Sequence, residues 1–156
     1  MNVEVRTYRH EEEPRIAELM FALDAEGAGI RPTNAENVAR TFVYLRVGSI
    51  NGTCGVALTG EGEEARIIGY VLVFPFWSAE YGGLLSLVDE IYVLPEHRGQ
   101  RVGELLMNHV EAYARTQGHV GLTLLAMNKN SRSHRFYERL GYEAIAGTSF
   151  DKLLGD

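Results

Sequence analysis

One cysteine in 156 residues, Cys54, has no partner for an internal disulfide and no companions for a cysteine-rich zinc site; it reads as a small buried apolar side chain. Basic residues are in the minority. Fifteen Lys plus Arg against 21 Asp plus Glu leave a formal charge of −6, a field that repels phosphate polyanions and argues against nucleic acid as the main partner. Long apolar runs are missing too. The stretch from Ile67 to Trp77 is broken by Gly69 and Pro75 well short of a membrane span, and the opening residues MNVEVRTYRHEEE hold no apolar signal core. The expectation is a cytoplasmic protein with no membrane partner. His10, His97, His109, His119 and His134 show neither H-x-x-x-H nor H-E-x-x-H spacing, so no metal is expected. Neither a G-x-S-x-G elbow nor a Cys–His pairing is present, which argues against a covalent acyl-enzyme.

What is there is an ordinary globular composition, 46% hydrophobic and 23% charged, at a length that suits one domain over residues 1–156. Val3, Val5 and Thr7 alternate as a first strand. Behind Glu11, Glu12 and Glu13, Pro14 suits a helix start, and Ile16, Leu19, Met20 and Leu23 share one helical face. Thr33 and Glu36 have capping-box spacing ahead of Val38, Thr41, Phe42 and Leu45, a second helix. Residues 52–59 and 66–74 read as a hairpin, 77–83 as a loop, and 84–93 as a further strand stopped by Pro95. A third helix opens between Gly99 and Gly103, residues 122–127 form a fifth strand, and a fourth helix runs from Ser131 to Leu140. Residues 142–146 and 149–154 read as a last pair of strands turned at Gly147. The expected fold is α/β with a mixed central sheet of about seven strands and four helices, in the order β-α-α-β-β-β-α-β-α-β-β.

The segment DEIYVLPEHRGQRVGELL is the most informative stretch: a strand, a proline stop, then glycines and arginines opening an amphipathic helix. It has the makings of an anion cradle. Gly99 and Gly103 let backbone approach a ligand, the first-turn N–H groups point at it, and Arg98 and Arg101 add positive charge within an acidic chain. A pyrophosphate suits it, though a plain helix cap is the alternative. There is no G-x-x-x-x-G-K-S/T loop, and the glycines do not follow a first strand with an acidic residue about twenty positions on.

Residues Val93 to Gly103 resemble the acetyl-CoA motif of the Gcn5-related N-acetyltransferase (GNAT) superfamily, Gln/Arg-x-x-Gly-x-Gly/Ala, with Arg101 where the pattern has its middle glycine. Asn130 to Tyr142, with Phe136, Tyr137 and Gly141, resembles that family's second motif, with Ser133 at the usual alanine. The resemblance covers essentially the whole chain. It implies a three-layer fold of that family, acetyl-CoA as co-substrate, and contacts to it from Ile91, Tyr92, Val93, Arg98, Gly99, Gln100, Arg101, Val102, Gly103, Glu104 and Asn130. His97 is then a loop residue beside the phosphates, and His109 a structural histidine of the third helix.

Transfer from a thioester to an amine needs a neutral amine, a polarised carbonyl and a proton for the departing sulfur. The resemblance implies a backbone N–H near Ile91 to Val93 for the carbonyl and Tyr137 as the acid. Asp89 and Glu90 are adjacent carboxylates, and strand alternation sends them to opposite faces. The resemblance implies Asp89, four before Val93, as the base, and Glu90 is expected to pair with a cation elsewhere. The family's acceptor groove corresponds here to residues 24–32 and 76–83. These hold Asp24, Glu26 and Glu80 beside Phe76, Trp77 and Tyr81, a mixture suited to a cationic amine. Glu26, Trp77, Glu80 and Tyr81 are the expected substrate contacts. A small-molecule amine is the first expectation, and a peptide amine would use the same chemistry. A non-catalytic acyl-CoA-binding domain stays open as the other class, and a homodimer as the assembly.

Overall fold

The computed structural model describes residues 2–27, 29, 31–48, 52–127, 131–147 and 149–153. Its elements are β1 (Val3–Thr7), α1 (Glu13–Ala25), α2 (Ala35–Val47), β2 (Thr53–Thr59), β3 (Arg66–Ser78), β4 (Gly83–Val93), α3 (Val102–Thr116), β5 (Gly121–Leu124) and α4 (Ser131–Arg139). Single turns of 3-10 helix lie at His10–Glu12, Gly62–Glu64 and Pro95–His97. By internal contacts the chain divides into two compact units, Met1–Leu125 and Ala126–Asp156.

The first unit holds one sheet in the order β1-β2-β3-β4-β5, antiparallel except where β4 meets β5 in parallel. A parallel neighbour cannot be reached by a tight turn, and α3 supplies the crossover. The sheet has a helix layer on each face. Ile16, Leu19 and Met20 of α1 and Val38, Phe42 and Leu45 of α2 form one core with Cys54, Val56, Leu58, Tyr70, Leu72 and Tyr92 of the sheet. On the other face α3 comes so close that a Cβ on Gly55 would lie 2.9 Å from His109, so β2 needs glycine there. Burial of Cys54 raises its thiol pKa and keeps it protonated, in line with the apolar role its solitude implies.

Several expectations are corrected. Among the described residues the sheet has five strands, not about seven: 142–147 and 149–153 carry no strand. Ile145 and Phe150 are 81% and 91% exposed, and alternation without a paired neighbour makes no ladder. Through α4 the order is β-α-α-β-β-β-α-β-α. The fifth strand stops at Leu124, before Met127. Residues 77–83 are the tip of a tight hairpin rather than a loop, since β3 runs on to Ser78 and pairs it with Gly83. Helix α2 is capped by Asn34, whose side chain accepts from the Asn37 N–H at 2.9 Å, rather than by Thr33.

Candidate active site

Strand β4 pairs with β5 only from Leu85 to Val88. Beyond Val88 that edge of β4 has no ladder partner among the described residues, so the two parallel strands part at Asp89. The Leu94 N–H donates to the Ile68 carbonyl on the β3 side at 2.9 Å. With a period of two, the Ile91 and Val93 amides face the opposite, open edge. That is the geometry in which a strand amide can polarise a carbonyl.

A bulge sits at the same place. Val88 is opposite Val73 and Glu90 opposite Leu72, which leaves Asp89 as the extra residue. The one-residue insertion shifts the alternation of β4 and sets Glu90 opposite Leu72. Glu90 lies on the face of Tyr70 and Leu72, and its partner is not a cation: the Tyr70 hydroxyl donates to Glu90 Oε2 at 2.8 Å. Desolvation raises the Asp89 carboxyl above its usual range, although part of its side chain meets solvent. Glu90 is raised as well, first by desolvation and further by Asp89 and Asp24, with the Tyr70 bond pulling the other way.

After β4, Gly99 adopts φ +75° and Arg101 φ +65°, and α3 begins at Val102. Arg101 is the one described non-glycine residue with positive φ, so the position where the family motif carries glycine does require a left-handed backbone, which arginine takes at a steric cost. The first helical bond runs from the Leu105 N–H to the Arg101 carbonyl at 3.0 Å. The Val102 and Gly103 amides come before it and have no acceptor within the helix. A Cβ on Gly99 would meet nothing within 4 Å, so backbone is open to a ligand there. Arg101 leans along its own helix to Glu104 at 2.5 and 2.9 Å, and the Gln100 side chain donates to the Glu96 carbonyl at 3.1 Å.

Arg98 has other company. Its Nε donates to the Val93 carbonyl at 2.8 Å, its Nη2 donates to both Glu26 oxygens, and its guanidinium lies 5.3 Å from the Tyr92 ring centre. The Tyr92 hydroxyl also donates to Glu26, at 2.9 Å. The expected phosphate ligand and the expected amine contact thus bind each other. Trp77, Glu80 and Tyr81 are exposed at the hairpin tip. Trp77 is opposite Leu84, five residues from Asp89, or about 17 Å of strand at ~3.4 Å per residue. The fold does not gather them around the carboxylates.

In the second unit α4 carries Tyr137, half-buried between the rings of Phe136 at 5.1 Å and Tyr142 at 5.9 Å. Gly141 at φ +85° ends the helix, and the Tyr142 N–H returns to the Tyr137 carbonyl at 3.1 Å. Burial raises the Tyr137 hydroxyl, which therefore holds its proton at neutral pH. Asn130 lies outside the described residues. His97 sits in the turn before the cradle, with Nδ1 buried and unbonded, and His109 is half-buried on α3 with its pKa lowered by desolvation. Among the described residues no group of three or more His, Cys, Asp or Glu could hold a metal, and no helix is long and apolar enough to cross a membrane.

Sequence reasoning missed Tyr70 and the bulge. A tyrosine within an Ile, Val and Leu run was the available signal, but its link to Glu90 depends on strand register.

At the splay of this mixed sheet β4 carries an adjacent carboxylate pair and then runs on into the left-handed turn that opens α3, an arrangement of the α/β class. The family model for the acetyltransferase (GNAT) family matches residues 36–142, and the chain belongs to that family. It is 31% identical over 124 residues to a thialysine N-epsilon-acetyltransferase of Bos taurus, across 80% of this chain and 64% of that protein. An aminoalkylphosphonate N-acetyltransferase of Salmonella typhimurium is 33% identical over 82 residues, 52% of this chain and 53% of that one. The chain thus spans less than two thirds of the length of these relatives. Among solved structures, AAC(6')-Iy in complex with a CoA bisubstrate analog superposes with a TM-score of 0.80 at 14% identity, covering 99% of this chain and 100% of that one, a likeness of fold.

Proposed function

We propose that this chain is an N-acetyltransferase that moves an acetyl group from acetyl-CoA to a primary amine, a small cationic amine first, by direct transfer with both substrates bound. The observation that carries the reading is that one strand, β4, holds the Asp89 and Glu90 pair where it parts from β5 and then leads into the left-handed turn that opens α3. A phosphate cradle alone needs no desolvated carboxylate. The bovine and Salmonella relatives, by name, acetylate small amines, which supports the substrate class.

Acetyl-CoA fits the residues present, since the cradle offers main-chain donors and open backbone at Gly99. It supplies an activated carbonyl on a thioester. The Val102 and Gly103 amides, with the backbone of Gly99 to Glu104, hold the pyrophosphate. In this reading Arg98 serves by fixing the loop, and Asn130 adds a contact. The Ile91 and Val93 amides polarise the carbonyl. Asp89, directly or through water, takes the proton that the amine gives up as its nitrogen bonds to the acyl carbon. The carbon–sulfur bond breaks, and Tyr137 gives its hydroxyl proton to the leaving sulfur. Glu26 acts by anchoring the loop after α1, while Trp77, Glu80 and Tyr81 meet the far end of a longer acceptor. A peptide amine is the second substrate class. The reading takes residues 1–156 as one catalytic domain working in the cytoplasm, without nucleic acid or membrane, and a homodimer is compatible with it.

Thiol release from acetyl-CoA across thialysine, lysine, an aminoalkylphosphonate, polyamines, aminoglycosides and short peptides tests it. Turnover is expected with cationic amines, and Gly103→Asp should abolish acetyl-CoA binding by calorimetry, because it sets a like charge against the phosphates. Binding without thiol release for any acceptor makes the chain a non-catalytic acyl-CoA-binding domain. Absence of binding at about 1 mM, a bound of roughly 4 kcal/mol, overturns both.

A further inference from the structure

Tyr70 is 0% exposed in the middle of β3, within the core that α1 and α2 cover. Phenylalanine would fill nearly the same volume there without a polar atom to satisfy, so packing does not account for the hydroxyl. That hydroxyl is directed at one acceptor, Glu90 Oε2 at 2.8 Å. The geometry depends on the bulge at Asp89, which turns Glu90 onto the face of Tyr70 and leaves the two carboxylates side by side in sequence at the point where β4 and β5 part. The groups that face Glu90 are Tyr70 from β3, Asp89 from its own strand, Asp24 from α1 and, further off, the Cys54 thiol from β2. None of them is a cation. The Arg98 guanidinium is bonded to Glu26.

From this we infer that Tyr70 is a positioning residue of acetyl transfer: its hydrogen bond holds Glu90 as an oriented anion, so that the proton leaving the acceptor amine goes to Asp89. The inference rests on the acyl-transfer reading above and deepens it. A donor hydrogen bond favours the charged form of the carboxylate that accepts it, and that charge in turn favours a proton on the neighbouring carboxyl. Desolvation acts on Asp89 in the same sense. Without the Tyr70 hydroxyl, Glu90 becomes the competing proton acceptor, held in a place where it was only meant to be a fixed charge.

The first measurement needs no substrate. Carbon-13 NMR of the glutamate carboxyls in the full chain, with Glu90 assigned by Glu90→Gln, follows its titration in the wild type and in Tyr70→Phe. The Glu90 midpoint is expected to rise by about one pH unit in Tyr70→Phe, as loss of a hydrogen bond to a charged group implies. An unmoved midpoint overturns the inference. The second measurement is the pH profile of kcat/KM with acetyl-CoA and the panel amines, thialysine first. Tyr70→Phe should move the acid limb downward, since a Glu90 that takes up a proton at higher pH no longer favours one on Asp89, leave acetyl-CoA affinity unchanged, and add nothing to Glu90→Gln in the double variant. A loss of melting temperature with an unmoved profile makes Tyr70 a packing residue and overturns the inference alone. If Asp89→Asn and Glu90→Gln both keep the wild-type profile, the base assignment falls and the inference falls with it.

Discussion

Arg98 reaches Glu26 through a single nitrogen that donates to both carboxylate oxygens, at 2.7 and 2.9 Å, and so ties the end of α1 to the loop that leads into α3. Sequence reasoning assigned the two residues to different substrates. In the fold their charges neutralise each other, and the buried Tyr92 hydroxyl depends on the same carboxylate. Glu26→Ala removes the ion pair and leaves that hydroxyl without its acceptor. Loss of about 1 kcal/mol is expected, since the pair is partly solvated. Differential scanning calorimetry should read a melting temperature about 2–4 °C lower.

Arg101 holds φ +65° immediately before α3. Glycine takes that conformation without a Cβ clash, whereas a β-branched side chain tolerates it worst. Arg101→Gly should therefore raise the melting temperature and Arg101→Val lower it. Acetyl-CoA binding by calorimetry should survive the glycine variant, since in the proposed cradle the backbone does the holding.

Carboxylates beside β1 and on β4 should respond to pH with opposite signs. Arg6 donates to Glu12 at 2.5 and 3.0 Å and the Arg9 N–H at 2.7 Å, and these bonds hold its carboxyl below the usual range. Glu13, paired with Arg46, is lowered likewise. A depressed folded value adds stability above the unfolded pKa, and that stability is lost as pH falls through the folded value. Asp89 is raised from 3.8, so its ionisation costs stability, a cost that is absent below 3.8 and complete above its folded value. Urea unfolding at pH 7 and at about pH 2.5 should show Glu12→Gln destabilising and Asp89→Asn stabilising at neutral pH, with both differences shrinking in acid.

Tyr137→Phe removes one hydroxyl and little volume. Under the proposed mechanism kcat falls by about 10²–10⁴, the usual loss for a general acid, while acetyl-CoA affinity stays near the wild-type value. Steady-state kinetics with a parallel calorimetric titration separates the two, and an unchanged kcat would make Tyr137 a packing residue of its aromatic pair with Tyr142.

Most of the fold was legible because its signals are local. The i, i+3, i+4, i+7 face of α1, the stop at Pro95 and the glycine end of α4 each need only neighbouring residues, and the elements they predict are there. The last two strands failed for the opposite reason: Tyr142 to Ala146 alternates well enough, but a strand exists only where another strand pairs with it. The candidate site divides along the same line.

Sequence alone determined the turn between β4 and α3, since a proline stop followed by glycines ahead of an amphipathic face is a local signal. It also determined that two carboxylates stand at the end of β4. Which way they point, and with whom they pair, was decided only by tertiary structure. The bulge at Asp89 arises from the register between β3 and β4, and that register set Glu90 against Tyr70 across twenty residues of chain. Likewise Arg98 found Glu26 rather than solvent because the α1 and α3 layers bring the two together. Side-chain chemistry is written one residue at a time, whereas partners depend on which distant backbones the packed core brings within about 3 Å of each other.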